Sequence, residues 1–246
     1  MKVVLFCGGL GTRLREHSET MPKPMVAIGE RPILWHLMKY YAHYGHTDFI
    51  LCLGYRGEQI RHYVAEYGRS MRIAGSDVPD WNIDCVDTGT EASIGERLVA
   101  VRERLAGEAC FLANYSDGLS DLPLDDCLDR FHRAGHVASL TCVRPQHSFH
   151  TVTPGEDGLV AALRSARDSG VWVNGGFFAF RQEIFDYIGA GEDLVAAPFE
   201  RLIAARRLMA YRHEGFWAAM DTFKDKRAFD DMEARGATPW KVWRDR

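Results

Sequence analysis

The sequence predicts an α/β fold whose core is a parallel, doubly wound sheet. Near the start of the chain, short apolar runs alternate with segments of helical periodicity in the order strand, helix, strand, helix. Such an order favours parallel strands that are joined by crossover helices. The chain has 246 residues, of which 46% are hydrophobic, and it shows no internal repeat, linker or low-complexity segment. We therefore expect one domain, residues 1–246.

Local patterns predict each element in turn. Residues 2–7 form an apolar run that ends at a glycine, which is typical of a buried parallel strand. Apolar residues at helical spacing predict a helix at 32–44, and Pro32 suits its first turn. The same patterns predict the remaining elements: strands at 48–54, 82–87, 109–115, 138–143 and 208–213, helices at 57–67, 94–105, 124–134, 198–205 and 225–234, a strand-rich stretch at 151–180, and an irregular polar stretch at 69–80.

Composition and charge narrow the function. The formal net charge is −4, so there is no general basic field that could hold nucleic acid. An anionic ligand therefore requires a local cluster of positive groups. The six cysteines include no C-x-x-C pair and no zinc spacing, and we expect buried, reduced thiols. Because the sequence shows neither a signal-peptide pattern nor a membrane-spanning run, we expect a cytoplasmic protein with no membrane partner.

A glycine-rich loop follows the first predicted strand: Gly8-Gly9-Leu10-Gly11-Thr12-Arg13-Leu14. Glycines let the backbone approach a ligand closely, and successive N–H groups form an anion-binding concavity. A dinucleotide fingerprint requires a third glycine where Leu14 stands, and the Gly-Lys-Ser/Thr ending of a P-loop is also missing. The loop is therefore predicted to bind phosphate with its own cation, Arg13.

A lysine between two prolines comes soon after this loop. Pro22 and Pro24 fix the backbone on either side of Lys23. The flanking prolines reduce the entropy lost when the lysine is held at one point. We predict that Lys23 contacts the ligand.

Two aspartates are candidates for a metal site. Asp117 follows an apolar strand, and ligands of open α/β sheets gather at the carboxyl ends of strands. Asp221 is a lone carboxylate in an apolar segment. Mg²⁺ prefers one or two protein carboxylates together with phosphate oxygens and water. The alternatives are that Asp117 is a turn residue before glycine and that Asp221 is a helix N-cap.

The glycine-rich loop followed by Pro22-Lys23-Pro24-Met25 resembles the signature of the sugar-1-phosphate nucleotidylyltransferases. The likeness covers nearly the whole chain and is greatest toward the glucose-1-phosphate cytidylyltransferase branch. The stretches that carry the branch similarity are Pro32-Ile33-Leu34-Trp35-His36, Gly54-Tyr55-Arg56-Gly57, Val86-Asp87-Thr88-Gly89, Asn174-Gly175-Gly176-Phe177-Phe178 and Gly215-Phe216-Trp217.

The resemblance implies a three-layer α/β/α, Rossmann-like fold with a mostly parallel mixed sheet. It also implies a transfer reaction in which an NTP and a sugar 1-phosphate give an NDP-sugar and pyrophosphate, with Mg²⁺ as cofactor. CTP is the favoured NTP. Residues 1–120 would mainly bind the NTP, and residues 121–246 would mainly bind the sugar and supply the second metal ligand. Relatives are often oligomers, so a homo-oligomer is expected.

The resemblance also assigns roles to individual residues. Arg13 would neutralise the β- and γ-phosphates, and Lys23 would contact the α-phosphate, where charge develops in the transition state. Asp117 and Asp221 would hold Mg²⁺. The other implied site residues are Gly8, Gly9, Gly11, Thr12, Thr88 and Gly95 for the nucleotide, and Asn174 and Gly175 for the sugar.

Three positions depart from the family pattern. Ser116 replaces the leading glycine of a Gly-Asp-Gly triplet. Ser165 stands where relatives place a lysine that holds the sugar's phosphate, so Arg164 or Arg167 would have to supply that charge. His150 replaces a glycine near the sugar pocket, so a deoxy-, heptose or modified sugar becomes an alternative to glucose. Specificity for dTTP or another NTP, and a degenerate regulatory protein that only binds nucleotide sugars, also stay open.

Overall fold

The computed structural model describes residues 1–9, 21–74, 81–145 and 150–244. Its strands are β1 (Val3–Phe6), β2 (Ala27–Ile28), β3 (Arg31–Pro32), β4 (Asp48–Leu53), β5 (Asn82–Asp87), β6 (Cys110–Asn114), β7 (Gly118–Ser120), β8 (Ala138–Val143), β9 (His150–Pro154), β10 (Val160–Ser165), β11 (Val173–Arg181), β12 (Leu208–His213) and β13 (Trp217–Ala219). Within these ranges, seven strands form the central sheet in the order β12-β8-β11-β6-β1-β4-β5. The pairs β2–β3, β7–β13 and β9–β10 form small separate sheets.

Strand β1 lies inside the sheet and is buried on both faces. It pairs in parallel with β4 and β6, so that Val3 lies opposite both Phe49 and Leu112. A parallel strand between two helical layers needs apolar residues on both faces, and the sequence of β1 supplies them. β11 runs antiparallel to β6 and β8, whereas β12 is parallel to β8. The sheet is mixed but mostly parallel, which confirms the predicted fold class.

Helices cover both faces of this sheet. They are α1 (Ile33–His43), α2 (Gly57–Ala74), α3 (Ile94–Ala100), α4 (Leu124–Ala134), α5 (Ala197–Ala204) and α6 (Phe223–Ala234), with 3-10 turns at Lys23–Met25, Arg102–Leu105, Gln182–Asp186 and Val242–Arg244. Leu37 of α1, Phe131 of α4 and Phe229 of α6 belong to one core cluster. Leu98 of α3 and Phe199 of α5 belong to the cluster on the opposite face. The architecture is therefore three-layered, as expected.

Some element boundaries differ from the predictions. The prediction of an irregular stretch at 69–80 is wrong for 69–74, because α2 continues to Ala74. A glycine inside a helix costs only about 1 kcal/mol relative to alanine, so Gly68 does not end it. The helix predicted at 94–105 ends at Ala100 and continues as a 3-10 turn. The strand-rich stretch resolves into the β9–β10 hairpin and β11.

The cysteines are unbridged. All six are free, and five of them are buried, as predicted. Burial raises the pKa of Cys52 and of Cys127 to about 12, so both thiols stay protonated at neutral pH. In the part of the chain that the structure describes, no helix has the length and apolar character to cross a membrane.

Candidate active site

A cavity of about 460 Å³ lies at the carboxyl ends of β1 and β6. These two strands are parallel neighbours, so the chain leaves both of them at the same edge of the sheet. The residues that line the cavity include Cys7, Gly9, Lys23, Tyr115, Asp117 and Asp221. The candidate site is therefore at the edge where open α/β sheets bind their ligands.

Lys23 is held between two carboxylates in this cavity. Its Nζ donates to Asp117 Oδ2 and to Asp221 Oδ1, each at 2.7 Å. Lys23 is 15% exposed, and the two aspartates are 26% and 28% exposed. Burial by itself lowers the pKa of Lys23, but the two carboxylates outweigh that effect and raise it, so the ammonium is charged at neutral pH. Burial raises the pKa of Asp117, and Lys23 opposes the shift.

The backbone of Lys23 is fixed by a short 3-10 turn. Pro22 is extended, with φ −70° and ψ 145°, and its carbonyl accepts the N–H of Met25 at 2.9 Å. The carbonyl of Lys23 accepts the N–H of Val26 at 3.1 Å. Pro24 is buried within the turn. The two prolines thus restrict the backbone on both sides of Lys23, which agrees with the prediction that its side chain is aimed at one point.

Asp117 is positioned by a strained turn at the end of β6. The preceding residue, Ser116, has a φ of 65°, in the left-handed region that favours glycine. Its hydroxyl donates to the carbonyl of Phe6 at 2.7 Å, and its N–H donates to Asn114 Oδ1 at 2.9 Å. The strained turn is thus tied to β1, the neighbouring strand. The serine performs the turn that a glycine performs in the family pattern.

Asp221 is positioned by a helix cap that it does not itself provide. Thr222 is the N-cap of α6: its hydroxyl accepts the N–H of Asp225 at 3.3 Å and donates to Asp225 Oδ2 at 2.8 Å. Asp225 Oδ2 also accepts the N–H of Asp221, at 3.2 Å. The alternative that Asp221 is the N-cap is therefore wrong. Its carboxylate contacts Lys23 instead.

The β7–β13 ribbon brings the two aspartates together. Gly118 pairs with Ala219 in this antiparallel ribbon, and the N–H of Met220 donates to the carbonyl of Asp117 at 2.8 Å. Asp121 holds the start of the ribbon, because its Oδ1 accepts the N–H of Phe216 at 2.7 Å. Residues that are distant in sequence thus reach one site through a few backbone hydrogen bonds.

The donor set fits a divalent cation. Since one oxygen of each aspartate lies 2.7 Å from the same nitrogen, the two carboxylates converge on a single point. Oxygen ligands of this kind suit Mg²⁺. No group of three or more His, Cys, Asp or Glu residues able to hold a metal occurs in the described ranges. A cation held by Asp117 and Asp221 would take its other ligands from phosphate and water.

A buried arginine connects the loops on one side of the cavity. Arg97 is only 2% exposed, and it donates to Gly8 O, Thr90 O, Leu53 O and Thr88 Oγ1 at 2.7–3.2 Å. These acceptors belong to the loop after β1, the end of β4 and the turn after β5. One side chain therefore fixes three separate segments of the site.

The predicted nucleotide-binding residues fall into three groups. Gly9 lines the cavity, and the carbonyl of Gly8 accepts from Arg97. Thr88 donates to the carbonyl of Leu53 at 2.8 Å, so it supports the turn. Gly95 permits close packing, because a Cβ there would lie 2.2 Å from the carbonyl oxygen of Glu192. The other two predicted nucleotide-binding residues, Gly11 and Thr12, lie outside the described ranges, and so does the predicted catalytic residue Arg13.

The predicted sugar-binding residues lie in two places, at the start of β11 and around β10. Asn174 Nδ2 donates to the hydroxyl of Tyr115 at 3.1 Å, and Tyr115 lines the cavity. The carbonyl of Gly175 accepts from the indole of Trp217 at 2.8 Å. Two further candidates are exposed at the β9–β10 hairpin and the turn after it: Arg164 and Arg167. Asn174 is thus bonded to a residue of the cavity wall, whereas neither arginine is among the residues that line the cavity.

Sequence reasoning missed three residues of the site. Arg97 is buried under the loop after β1, Tyr115 forms a wall, and Asp193 lines the cavity from the loop before α5. The arginine of the segment 94–97 was the available signal, since a helix that packs on a core has few reasons to bury a guanidinium. No local pattern distinguishes Asp193 from an ordinary turn residue.

Comparison with known proteins agrees with this geometry. The nucleotidyl transferase family profile matches residues 2–225. Glucose-1-phosphate cytidylyltransferases of Salmonella typhimurium and Salmonella typhi are each 37% identical over 257 residues, which covers 99% of this chain and 100% of each relative. The structure of a UDP-glucose pyrophosphorylase from Acinetobacter baumanii shares the fold, with a TM-score of 0.71, 17% identity and coverage of 93% of this chain and 91% of that one. The chain therefore belongs to the nucleotidyl transferase family, among the sugar-1-phosphate nucleotidylyltransferases and on their cytidylyltransferase branch.

Proposed function

We propose that this enzyme joins CTP to a sugar 1-phosphate, in a Mg²⁺-dependent reaction that gives a CDP-sugar and pyrophosphate. The observation that carries the proposal is the Lys23 ammonium 2.7 Å from both Asp117 and Asp221, at the carboxyl edge of the sheet. The full-length similarity to two glucose-1-phosphate cytidylyltransferases supports the choice of CTP.

The reaction needs positioning and charge stabilisation more than covalent catalysis by the protein. An oxygen of the sugar 1-phosphate attacks the α-phosphorus of CTP in line, and the bond to the pyrophosphate oxygen breaks. The acceptor is already an anion at neutral pH, so no protein nucleophile is required. When bound, Mg²⁺ supplies Lewis-acid stabilisation of the phosphate charge.

Lys23 and the aspartates have complementary roles in this scheme. The raised pKa of Lys23 keeps its ammonium charged, so it can donate to the α-phosphate as negative charge develops there. Asp117 and Asp221 would hold the cation. Arg13, on the resemblance to the family, would neutralise the leaving pyrophosphate. The ion pair with Lys23 keeps both carboxylates compensated until a ligand enters.

The test is pyrophosphate release with Mg²⁺, five NTPs and a panel of sugar 1-phosphates. We expect release with CTP. Lys23→Ala and Asp117→Asn should each lower kcat by about 10²- to 10³-fold, because the first removes the ammonium that would contact the α-phosphate and the second removes a carboxylate that would hold Mg²⁺. Lys226→Ala is the matched control, since Lys226 pairs with Asp230 on α6.

The nucleotide panel also tests the other nucleotide choices. Release with dTTP in place of CTP would correct the base and keep the reaction class. Near-normal turnover in Lys23→Ala would contradict the assigned role of this residue. Binding of nucleotide sugars without pyrophosphate release or exchange would favour a protein that only binds them.

A further inference from the structure

Two arginines stack on one tryptophan near the carboxyl ends of β8 and β12. The guanidinium carbon of Arg144 lies 4.0 Å from the ring centroid of Trp172, and that of Arg212 lies 5.6 Å from it. Arg144 directly follows β8, Trp172 directly precedes β11, and Arg212 lies in β12. Stacking on a ring restricts a guanidinium before any ligand binds. The two cations are thus held near each other in advance.

These residues share the face of the sheet that carries Asn174. Cys142 pairs with both Asn174 and Arg212, so the side chains of these three point to one face. Arg144 lies two residues after Cys142, and Trp172 lies two residues before Asn174. Because side chains two residues apart on a strand share a face, and because Arg144 and Trp172 contact each other, both lie on this same face. Burial raises the pKa of Cys142, and both arginines oppose that shift, as two nearby cations do. The arginines therefore form a cationic group beside Asn174.

No carboxylate neutralises this pair among the described residues. Neither Arg144 nor Arg212 forms a salt bridge within 4.0 Å there, and Arg144 Nη1 has one long contact, 3.5 Å, to the carbonyl of Val171. Two cations held against one ring repel each other, and an anion close to both would offset this repulsion. In contrast, Lys23 is already paired with two carboxylates. Within the described residues, the arginine pair is therefore left without a carboxylate partner.

The position of the pair relates it to the acceptor rather than to the reacting phosphates. Asn174 donates to Tyr115, which lines the cavity. The arginine pair, on the same face of the sheet as Asn174, therefore lies on the side of the cavity where Asn174 is predicted to contact the sugar. Strands β6 and β8 are separated by β11. The ends of β6 and β8 are therefore two strand spacings apart, roughly 10 Å, which is about the length of a hexose phosphate. An acceptor whose 1-phosphate lies at the end of β6 would extend its far end toward β8.

We infer that Arg144 and Arg212 bind a second anionic group of the acceptor, at the end remote from its 1-phosphate. The inference rests on the proposed function, because it assumes that a sugar 1-phosphate lies beside Asn174. The acceptor class is then a sugar 1-phosphate that also bears a carboxylate or a second phosphate.

The test is equilibrium binding of three acceptors by calorimetry, with Mg²⁺ and a non-hydrolysable CTP analogue present. The probes are glucose 1-phosphate, glucuronic acid 1-phosphate and glucose 1,6-bisphosphate. One of the two doubly anionic probes should bind about 10- to 100-fold more tightly than glucose 1-phosphate, as expected for a charge-assisted contact. Which of the two is preferred identifies the anion as carboxylate or phosphate.

Variants assign the preference to the arginine pair. Arg144→Gln with Arg212→Gln should abolish the preference, so that the double variant binds all three probes with similar affinity. The single Arg212→Gln variant changes an exposed residue and should lose part of the preference even if the double variant folds poorly. Arg181→Gln is the matched control, since Arg181 stacks over Phe131 at 5.3 Å at the opposite end of β11, and it should keep the preference.

The outcomes separate this inference from the proposed function. The inference is overturned if the wild type binds all three probes equally, if it binds none of them, or if the preference survives in the double variant. Pyrophosphate release is measured in parallel with CTP and the same acceptors. Pyrophosphate release without a preference for doubly anionic acceptors supports the proposed function and contradicts the anion site. A preference that depends on the arginines, without release from any acceptor, supports the anion site and contradicts the proposed reaction.

Discussion

The charge arrangement around Lys23 should make its neighbours sensitive to substitution. A buried carboxylate is tolerated when a cation is close, and removing one partner of such a set leaves an uncompensated charge. Lys23 satisfies Asp117 and Asp221 together. Replacing Lys23 should therefore affect stability as well as turnover, so its kcat should be compared only after circular dichroism shows that the variant is folded.

Ser116 offers a test of backbone strain at the residue scale. Its φ of 65° costs roughly 1–2 kcal/mol for a residue with a side chain, and its hydroxyl bond to Phe6 offsets part of that cost. Ser116→Ala keeps the strain and loses the hydrogen bond, so its free energy of unfolding should fall by about 1–2 kcal/mol. Ser116→Gly loses the bond but relieves the strain, so it should stay within about 1 kcal/mol of the wild type.

Urea denaturation of the three proteins measures this difference. The glycine variant is the matched control for loss of the hydroxyl. An alanine variant that is as stable as the glycine variant would mean that the left-handed conformation of Ser116 carries no cost.

The residues that sequence reasoning could predict are those whose local context is unusual. Lys23 lies between prolines, and Asp117 follows an apolar strand, so both were predicted from neighbours in the sequence. The burial of Arg97 and the stacking of Arg144 depend on acceptors and rings from other elements. Such contacts become visible only once the strand order is known.

At the scale of elements, sequence patterns predict the longer strands but not the shortest ones. β5, β8 and β12 are six residues long and were predicted with their observed boundaries. β7 and β13 have three residues each, too few for a periodic pattern, and neither was predicted. Yet this ribbon brings Asp117 to Asp221. The sequence thus predicted both carboxylates but not the means by which they meet.

The cap of α6 connects element stability to the site. Thr222→Ala removes the hydroxyl that accepts the N–H of Asp225, and it should lower the free energy of unfolding by about 1 kcal/mol. Asp225 also accepts the N–H of Asp221, so loss of the cap should loosen Asp221 and lower kcat. Thr222→Ser keeps a hydroxyl cap and should resemble the wild type in both properties.

Unfolding in urea and steady-state kinetics measure the two effects. If Thr222→Ala lowered stability and left kcat at the wild-type value, the cap would support the helix without positioning Asp221.

At the scale of the whole molecule, the site joins distant parts of one chain. Lys23 follows the first strand, Asp117 lies near the middle, and Asp221 precedes the last long helix. A ligand that contacts all three would connect three distant segments of the chain. Folding and ligand binding are then linked, because the unfolded chain presents no such site.

This linkage predicts that Mg²⁺ and CTP stabilise the protein together. At a ligand concentration 100 times Kd, the free energy of unfolding should rise by about 2.7 kcal/mol. For a chain of this size the rise corresponds to roughly 5–10 °C in Tm. CTP with EDTA, and Mg²⁺ alone, should each give a smaller shift, since Asp117 and Asp221 need phosphate oxygens to complete the coordination of the cation.

Thermal unfolding of the wild type and of Asp221→Asn, each compared with its own unliganded form, tests the prediction. Asp221→Asn removes one of the two carboxylates that converge on Lys23, so the part of the shift that depends on Mg²⁺ should be lost. Lys226→Ala changes a lysine of α6 that pairs with Asp230, and it should keep the full shift. A shift that is equal with and without Mg²⁺ would mean that the nucleotide binds without a cation at these aspartates, and the two carboxylates would then serve only to hold Lys23.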